Sequence, residues 1–287
     1  MRISIDSKRW KQLFLGIMVL SVVCVHGGQI SLGTGLVQAA EPSSSAKELV
    51  VFAAASLTEP FREIAKQLEL AYPGLKVVYN FGGSSALRTQ LEQGAHADVF
   101  AAADAIQIEQ AKKNGIVQGD TPVFAQNRLV VIVPLANPAK IKTFCGLGKP
   151  GIKLDLAHAN VPIGNYSRQA IAKASTACGA DFEERTLNNV VSEEENVKQV
   201  VTKIQLGEAD AGIVYASDVT IRVNKDVHTI TLDDAYNQIA SYPIAVTAVA
   251  KSRNMAEVFV TFVLSPEGQV ILGGHGFMPV KNRKLSQ

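Results

Sequence analysis

The sequence predicts a two-lobed α/β fold in which each lobe is a mostly parallel sheet flanked by helices. Short apolar segments of strand length alternate with segments of helical period along most of the chain, a pattern typical of parallel sheets. A long apolar segment, Leu129–Pro134, separates two such stretches, and a second one, Tyr242–Val249, follows the later stretch. We interpret them as two hinge crossings, which assign residues 49–128 and 245–287 to lobe 1 and residues 129–244 to lobe 2. Ligands of hinged molecules lie in the cleft between the lobes.

The first 40 residues differ from the rest and are typical of a secretory signal peptide. Basic residues precede an apolar run of about 13 residues, Leu13–Val25, which is too short to span a bilayer comfortably. Small residues suited to cleavage follow at Val37–Ala40. We therefore expect cleavage near residues 39–41 and a periplasmic protein. A lipid anchor at Cys24 is the alternative, although the valine before it is not the small residue expected beside a lipidated cysteine.

Composition and charge predict an ordinary globular protein. The chain has 287 residues, of which 47% are hydrophobic and 19% charged. Loss of residues 1–40 would remove four of 28 basic residues and one of 26 acidic residues, which changes the net charge from +2 to −1. No basic face is left to favour nucleic acid or an anionic membrane. Two cysteines, Cys145 and Cys178, remain in a compartment that permits oxidation, and the sequence leaves open whether they form a disulfide.

The domain begins after a polar tether, residues 41–48, which is too polar to fold by itself. The apolar run that follows predicts a buried strand that ends at Ser56. We expect Thr58 to be the N-cap of the next helix, because Pro60 then falls in the first turn, where its missing N–H costs nothing. Ser56 would lie at the carboxyl end of a strand and at the positive end of a helix dipole, which outlines an anion site. A serine at such a turn is more often only a cap.

Strand ends followed by helix starts recur along the chain. In lobe 1, Gly82–Ser85 opens a second helix after an apolar strand, and Asp98–Asp104 nearly repeats the first strand. In lobe 2, helices are predicted after Val161–Tyr166 and Ser192–Val197, where the acidic run suits a solvated first helical turn, and Gly212–Tyr215 is a further strand. The residues at these ends offer hydroxyl or backbone donors without charge: Ser56, Ser84, Ser85, Ile163, Val197 and Tyr215. Such donors can hold a dianion without a basic partner.

The order of these segments resembles that of the molybdate-binding proteins of ABC transporters, and the resemblance covers the whole mature chain. It implies a type II periplasmic binding protein fold. The segments that carry the resemblance are Val51–Thr58, Phe81–Ser85, Gly94–Phe100, Val161–Tyr166, Glu195–Val197 and Gly212–Asp218.

The resemblance also implies the ligand, its contacts and the partners. It assigns hydroxyl and backbone donors to Ser56 and Ser84, backbone donors to Ile163 and Val197, and a phenol donor to Tyr215. Molybdate, and with it tungstate, would be the ligand, and no other metal or cofactor is expected. The partner would be the membrane permease of an ABC transporter, and we expect a monomer.

Two positions depart from the family pattern. Gly83 stands where a third serine often occurs, and Ile163 stands where a small residue is usual. If residue 163 contributes only its N–H, the donor set survives. The larger side chain would then affect pocket size or cleft closure.

The alternatives to molybdate and tungstate are other tetrahedral oxyanions. Sulfate differs chiefly in size, which a sequence does not measure. Phosphate carries a proton near neutral pH and needs an acceptor, so a carboxylate such as Glu59 would have to turn inward. An iron-binding protein would be expected to show adjacent tyrosines, whereas Ala216 follows Tyr215.

A secreted hydrolase with Ser56 or Ser84 as nucleophile is the alternative from another class. It needs a general base, and the four histidines of the mature chain are isolated in the sequence. No Gly-x-Ser-x-Gly elbow occurs. We therefore expect a binding protein rather than an enzyme.

Overall fold

The computed structural model describes residues 47–280. The predicted signal peptide, Cys24 and most of the predicted tether lie outside the described residues. The described chain alternates between strands and helices. The strands are β1 (Lys47–Ala54), β2 (Leu75–Gly82), β3 (Val99–Ala101), β4 (Val123–Pro134), β5 (Leu154–Ala157), β6 (Val190–Glu194), β7 (Ala211–Tyr215), β8 (Val227–Thr231) and β9 (Ile239–Val246). The α-helices are α1 (Thr58–Ala71), α2 (Ser84–Glu92), α3 (Ala105–Lys113), α4 (Pro162–Cys178), α5 (Phe182–Leu187), α6 (Val197–Leu206), α7 (Arg253–Leu264) and α8 (Pro266–Gly274).

The strands form two groups that β4 and β9 connect. In the first group β1 lies between β2 and β3 and is parallel to both, while β3 pairs antiparallel with β9. In the second group β5 is parallel to β6 and β7, and β4 pairs antiparallel with β7 and β8. The first half of β4 pairs with β9 itself. The predicted two-lobed α/β architecture with two crossings is therefore confirmed. The exact lobe boundaries stay a prediction.

β1 is buried on both faces, as the sequence predicts for a strand inside a parallel sheet. Leu49, Val51 and Ala53 face one hydrophobic cluster together with the apolar stripe of α1, and Phe52 faces a second cluster together with α2 and α3. Helices thus cover both faces of this sheet. The carboxyl end of β1 is fixed between them, which positions the residues that follow it.

The start of α1 differs in detail from the prediction. A short 3₁₀ turn, Ala55–Leu57, follows β1, and α1 begins at Thr58 itself. Thr58 is therefore not the N-cap, and its hydroxyl donates to the carbonyl of Ala55 at 2.7 Å. Pro60 does lie in the first turn, as predicted. Ser56 consequently lies inside the 3₁₀ turn, directly between β1 and α1.

The acidic run before α6 was interpreted wrongly from the sequence. Glu193 and Glu194 belong to β6, and α6 begins only after the cap residue Asn196. Pairing with β5 selects the strand, a long-range interaction that the local sequence does not encode. Among the described residues, no single helix is long and apolar enough to cross a bilayer, and α7 and α8 meet that test only as a pair bent by 64°.

Cys145 and Cys178 form a disulfide, which answers the question that the sequence leaves open. Cys145 lies in a 3₁₀ turn, Phe144–Gly148, and Cys178 is the last residue of α4. Their Cα atoms are 5.3 Å apart, within the normal range for a disulfide. The bond ties the carboxyl end of α4 to the loop before β5.

Candidate functional site

The five residues to which the sequence analysis assigned a ligand contact line one small cavity. Its volume is about 20 Å³, so it suits one compact species rather than an extended solute. Glycines, apolar residues and the polar residue Asn196 complete its wall. Its full lining is Ala54, Ala55, Ser56, Gly82, Gly83, Ser84, Ala103, Val161, Pro162, Ile163, Asn196, Val197 and Tyr215. Ser85, by contrast, lines the neighbouring open groove.

Two serine hydroxyls reach the cavity from lobe 1, and each already has one hydrogen-bond partner. Ser84 is the first residue of α2, and its Oγ accepts from the backbone N–H of Ala103 at 3.0 Å. Ser56 Oγ lies 3.1 Å from the hydroxyl of Tyr242. Both serines are almost completely buried. Because the Ser84 oxygen accepts from an N–H, its proton remains to be donated.

Backbone donors reach the cavity from two helix starts in lobe 2. α4 has Val161 at its N-cap, and the first bond back to that cap comes from the N–H of Asn165. The earlier N–H of Ile163 therefore belongs to the unsatisfied first turn. In α6 the Asn196 side chain accepts from the second and third N–H groups of the helix and leaves the N–H of Val197 outside the cap. These N–H groups favour an anion at the cavity.

Tyr215 contributes the phenol that the sequence analysis assigned to the site. It is the last residue of β7, and its hydroxyl oxygen is buried without a hydrogen-bond partner among the described residues. Burial raises the pKa of Tyr215 well above its usual value, so the hydroxyl stays protonated at neutral pH. A buried hydroxyl without a partner is costly. Tyr215 lines the cavity, where a bound species would supply the missing acceptor.

The lobes are in contact beside the cavity at Gly83. A Cβ atom on Gly83 would stand 2.2 Å from the carbonyl oxygen of Glu195, far inside van der Waals distance. The backbone of Gly83 is in an extended conformation that other residues adopt easily, with φ −63° and ψ 132°. Glycine is therefore required by the contact with Glu195 and not by the local turn.

Ile163, the other departure, does not enlarge the polar surface of the cavity. Its side chain is 1% exposed and belongs to the main hydrophobic core. The next residue, Gly164, packs so closely on the end of β5 that a Cβ would stand 2.0 Å from the carbonyl oxygen of His158. This close approach fixes the start of α4 against the strand and positions the N–H of Ile163.

An ion cluster links the lobes just outside the cavity. Lys198 Nζ lies 2.9 Å from Glu59 Oε2 of α1 and 3.1 Å from Asp218 Oδ1. Burial by itself lowers the pKa of Lys198, but the two carboxylates raise it above its usual value. Burial raises the pKa of Asp218, and Lys198 opposes that change. Glu59 is thus held by a lysine and does not turn into the cavity.

The chemistry of the cavity suits binding of an anion better than catalysis. All its lining residues are described, and none carries a charged side chain or an imidazole. His158 lines the neighbouring groove, where it contacts Glu193. A serine nucleophile would therefore have no general base beside it. Neutral donors around a compact space can hold an oxyanion through hydrogen bonds alone.

Sequence reasoning missed three features of this site. Tyr242 reaches the cavity serine from β9, more than 180 positions later in the chain, and no local pattern links the two residues. The contact between Gly83 and Glu195 is equally invisible, because it depends on how the lobes meet. For Lys198, its place directly after the predicted donor Val197 was the only available signal.

Comparison with known proteins identifies a matching family and a similar relative. The family model described as bacterial extracellular solute-binding protein matches residues 49–278. The molybdate-binding protein ModA of Mycobacterium tuberculosis is 36% identical over 271 residues, which cover 94% of this chain and 98% of that protein.

Two solved structures are similar in fold. The substrate binding domain of a putative molybdenum ABC transporter from Clostridium difficile matches with 27% identity and a TM-score of 0.60, over 82% of this chain and 99% of that chain. The sulfate-binding protein SubI from Mycobacterium tuberculosis matches with 20% identity and a TM-score of 0.72, over 82% and 88%. The second likeness shows the fold alone. Both agree with the two-lobed binding-protein fold that the sequence predicted.

Proposed function

The chain belongs to the family of bacterial extracellular solute-binding proteins, and we propose that it captures molybdate, and also tungstate, in the cavity between its lobes. Members of this family bind solutes and are not described as enzymes. Ser56, Ser84 and Tyr215 would donate from their side chains, and Ile163 and Val197 would donate from the backbone.

The hydroxyl of Tyr215, which is buried without a hydrogen-bond partner in residues 47–280, carries this proposal. It lies in the wall of a cavity that neutral donors surround, and an oxyanion would accept from all of them at once. Hydrogen bonds to a charged group are worth about 1.5–3 kcal/mol each. A set of such bonds can compensate for the loss of the anion's hydration when it enters a dry cavity.

Molybdate is preferred over the other oxyanions for two reasons. The Mycobacterium tuberculosis relative, at 36% identity, is named for molybdate. Hydrogen phosphate would need an acceptor for its proton, and Glu59, the nearby carboxylate, is paired with Lys198. Sulfate is the second candidate, because the fold is shared with a sulfate-binding protein and sulfate needs the same kind of donors.

The proposal includes delivery of the anion to the permease of an ABC transporter. The name of the Clostridium difficile domain, a part of such a transporter, supports this step. The family description is consistent with a location outside the cytoplasm. Export through a signal peptide cleaved near residues 39–41, a monomeric state and closure of the two lobes on the anion belong to the same proposal.

Adding molybdate should raise the melting temperature of the mature protein, because a ligand that binds only the folded state stabilises it. At a free concentration of about 100 times the dissociation constant, the gain is roughly 2.7 kcal/mol. Differential scanning fluorimetry and titration calorimetry with molybdate, tungstate, sulfate and phosphate in one buffer would measure it. A melt in millimolar molybdate that overlays the ligand-free melt would refute the binding assignment, and a larger shift with sulfate would change the ligand.

The Tyr215→Phe variant should separate a ligand contact from a packing role. Removal of an unpartnered buried hydroxyl should leave the ligand-free melting temperature unchanged or higher, while the affinity for molybdate falls about tenfold. Tyr79→Phe is the matched control, because the Tyr79 hydroxyl donates to the Phe61 carbonyl at 2.6 Å and does not line the cavity. It should lower stability and leave affinity unchanged. Equal affinities for Tyr215→Phe and wild type would remove the phenol from the site.

A further inference from the structure

We infer that Tyr242 is a positioning residue of the oxyanion site, whose hydroxyl donates to Ser56 Oγ and thereby directs the Ser56 proton into the cavity. The inference rests on the proposed function. Tyr242 lies on β9, one of the two strands that connect the lobes, and is not among the residues that line the cavity. It acts on the anion through Ser56.

The direction of this hydrogen bond follows from the surroundings of the two hydroxyls. Ser56 Oγ is 3.1 Å from Tyr242 Oη, and both groups are buried. The Tyr242 ring packs edge-on against Phe124 and Phe277, with ring centres 6.3 Å and 5.2 Å away. These rings offer no strong acceptor to the tyrosine proton. The Asn127 side chain also lies beside this hydroxyl, and because its hydrogen bond lowers the pKa of Tyr242, the Asn127 amide N–H is the donor there. A buried hydroxyl needs an acceptor for its own proton, and Ser56 Oγ is the acceptor that remains.

Burial also keeps Tyr242 in the donor form. The side chain is 0% exposed, and burial raises its pKa well above the usual value. The phenol therefore remains protonated at neutral pH. With one lone pair of Ser56 Oγ occupied by this proton, the serine proton is turned away from Tyr242. Because Ser56 lines the cavity, an anion bound there would be the acceptor for this proton.

Tyr242 also contacts the side-chain donor from the other lobe. Its ring lies 5.7 Å from the ring of Tyr215 in a tilted edge arrangement. One residue of the crossing strand thus touches Ser56, which belongs to lobe 1 in the predicted division, and Tyr215, which belongs to lobe 2. The hydroxyl of Tyr242 makes the contact with Ser56, and its ring makes the contact with Tyr215. Replacement of Tyr242 by phenylalanine removes the contact with Ser56 and keeps the contact with Tyr215.

A double-mutant cycle tests the inference. Titration calorimetry with molybdate is carried out on the wild type, Tyr242→Phe, Ser56→Ala and the double variant. We expect Tyr242→Phe to bind roughly five- to tenfold more weakly than the wild type, which is the usual range for loss of one hydrogen bond. In the Ser56→Ala background the same change should alter the affinity by less than about twofold, because the hydroxyl has lost the atom through which it acts.

One control variant and three possible contrary results belong to this experiment. Tyr79→Phe again removes a bonded tyrosine hydroxyl outside the cavity and should leave affinity unchanged. Wild-type affinity in Tyr242→Phe would overturn the inference while the proposed function stands. Equal fold-losses in both backgrounds would show a structural effect independent of Ser56 and would overturn it as well. A wild-type protein that binds no oxyanion would overturn the proposed function and this inference together.

Discussion

Replacement of Gly83 by valine should weaken molybdate binding by about a hundredfold or more. A Cβ at this position would stand 2.2 Å from the carbonyl oxygen of Glu195, and a backbone oxygen cannot rotate away as a side chain can. Overpacking of this kind costs about 1–3 kcal/mol, and the two extra methyl groups of valine should bring the cost to the upper end. We expect the penalty to fall on the arrangement in which the two lobes meet at Glu195, so the apparent affinity should decrease by the corresponding factor.

A glycine outside the cavity provides the control. A Cβ on Gly273 of α8 would meet nothing within 4 Å, and Gly273 does not line the cavity. Gly273→Ala should therefore retain affinity, and Gly83→Ala should lie between it and Gly83→Val in calorimetric titrations. The ligand-free melting temperatures should show whether each variant folds. If Gly83→Val binds molybdate like the wild type, the lobe contact at Glu195 is not part of the binding-competent state.

Removal of the Cys145–Cys178 disulfide should lower the free energy of unfolding by about 3–4 kcal/mol. The bond joins residues 33 positions apart, and closing a loop of this length restricts the unfolded chain by roughly that amount. For a domain of this size we expect a decrease in melting temperature of roughly 10 °C. The Cys145→Ser/Cys178→Ser double variant, melted in parallel with the wild type, measures it.

Binding should survive this change. Cys178 follows Ile163 by 15 residues on α4, which places the disulfide about 22 Å along the helix from the cavity. The double variant should therefore bind molybdate within about twofold of the wild type. Wild-type protein treated with a reductant should melt like the variant. Identical melting of the variant and the oxidised wild type would mean that the bond contributes nothing to stability.

Much of the fold could be predicted from local patterns. The helical spacing of Phe61, Ile64 and Leu68 predicts α1, and these side chains are buried. The apolar run before Ser56 predicts a strand buried on both faces, and β1 is such a strand. Periodicity succeeds here because each element must bury one apolar face or two. At Glu193 and Glu194 the local sequence predicts the wrong element, a helical turn. Pairing with β5 overrides the local preference and makes this segment a strand.

The candidate site was accessible to sequence reasoning only in part. Serines and exposed N–H groups at strand ends and helix starts are visible as a pattern, and the order of the segments adds the family resemblance. The structure brings Ser56, Ser84, Ile163, Val197 and Tyr215 to one cavity. Their assignment as molybdate ligands stays a proposal that the variants above test.

Local sequence patterns establish which chemistry is available: which residues end strands, which helices begin beside them, and that their donors are neutral. How those groups meet and support one another is visible only in the folded chain. The hydrogen bond between Tyr242 and Ser56 joins residues 186 positions apart, the contact of Gly83 with Glu195 joins the two lobes, and the disulfide needs two Cα atoms 5.3 Å apart. Each depends on distances through space, which follow from the packing of whole lobes and not from any local stretch of chain.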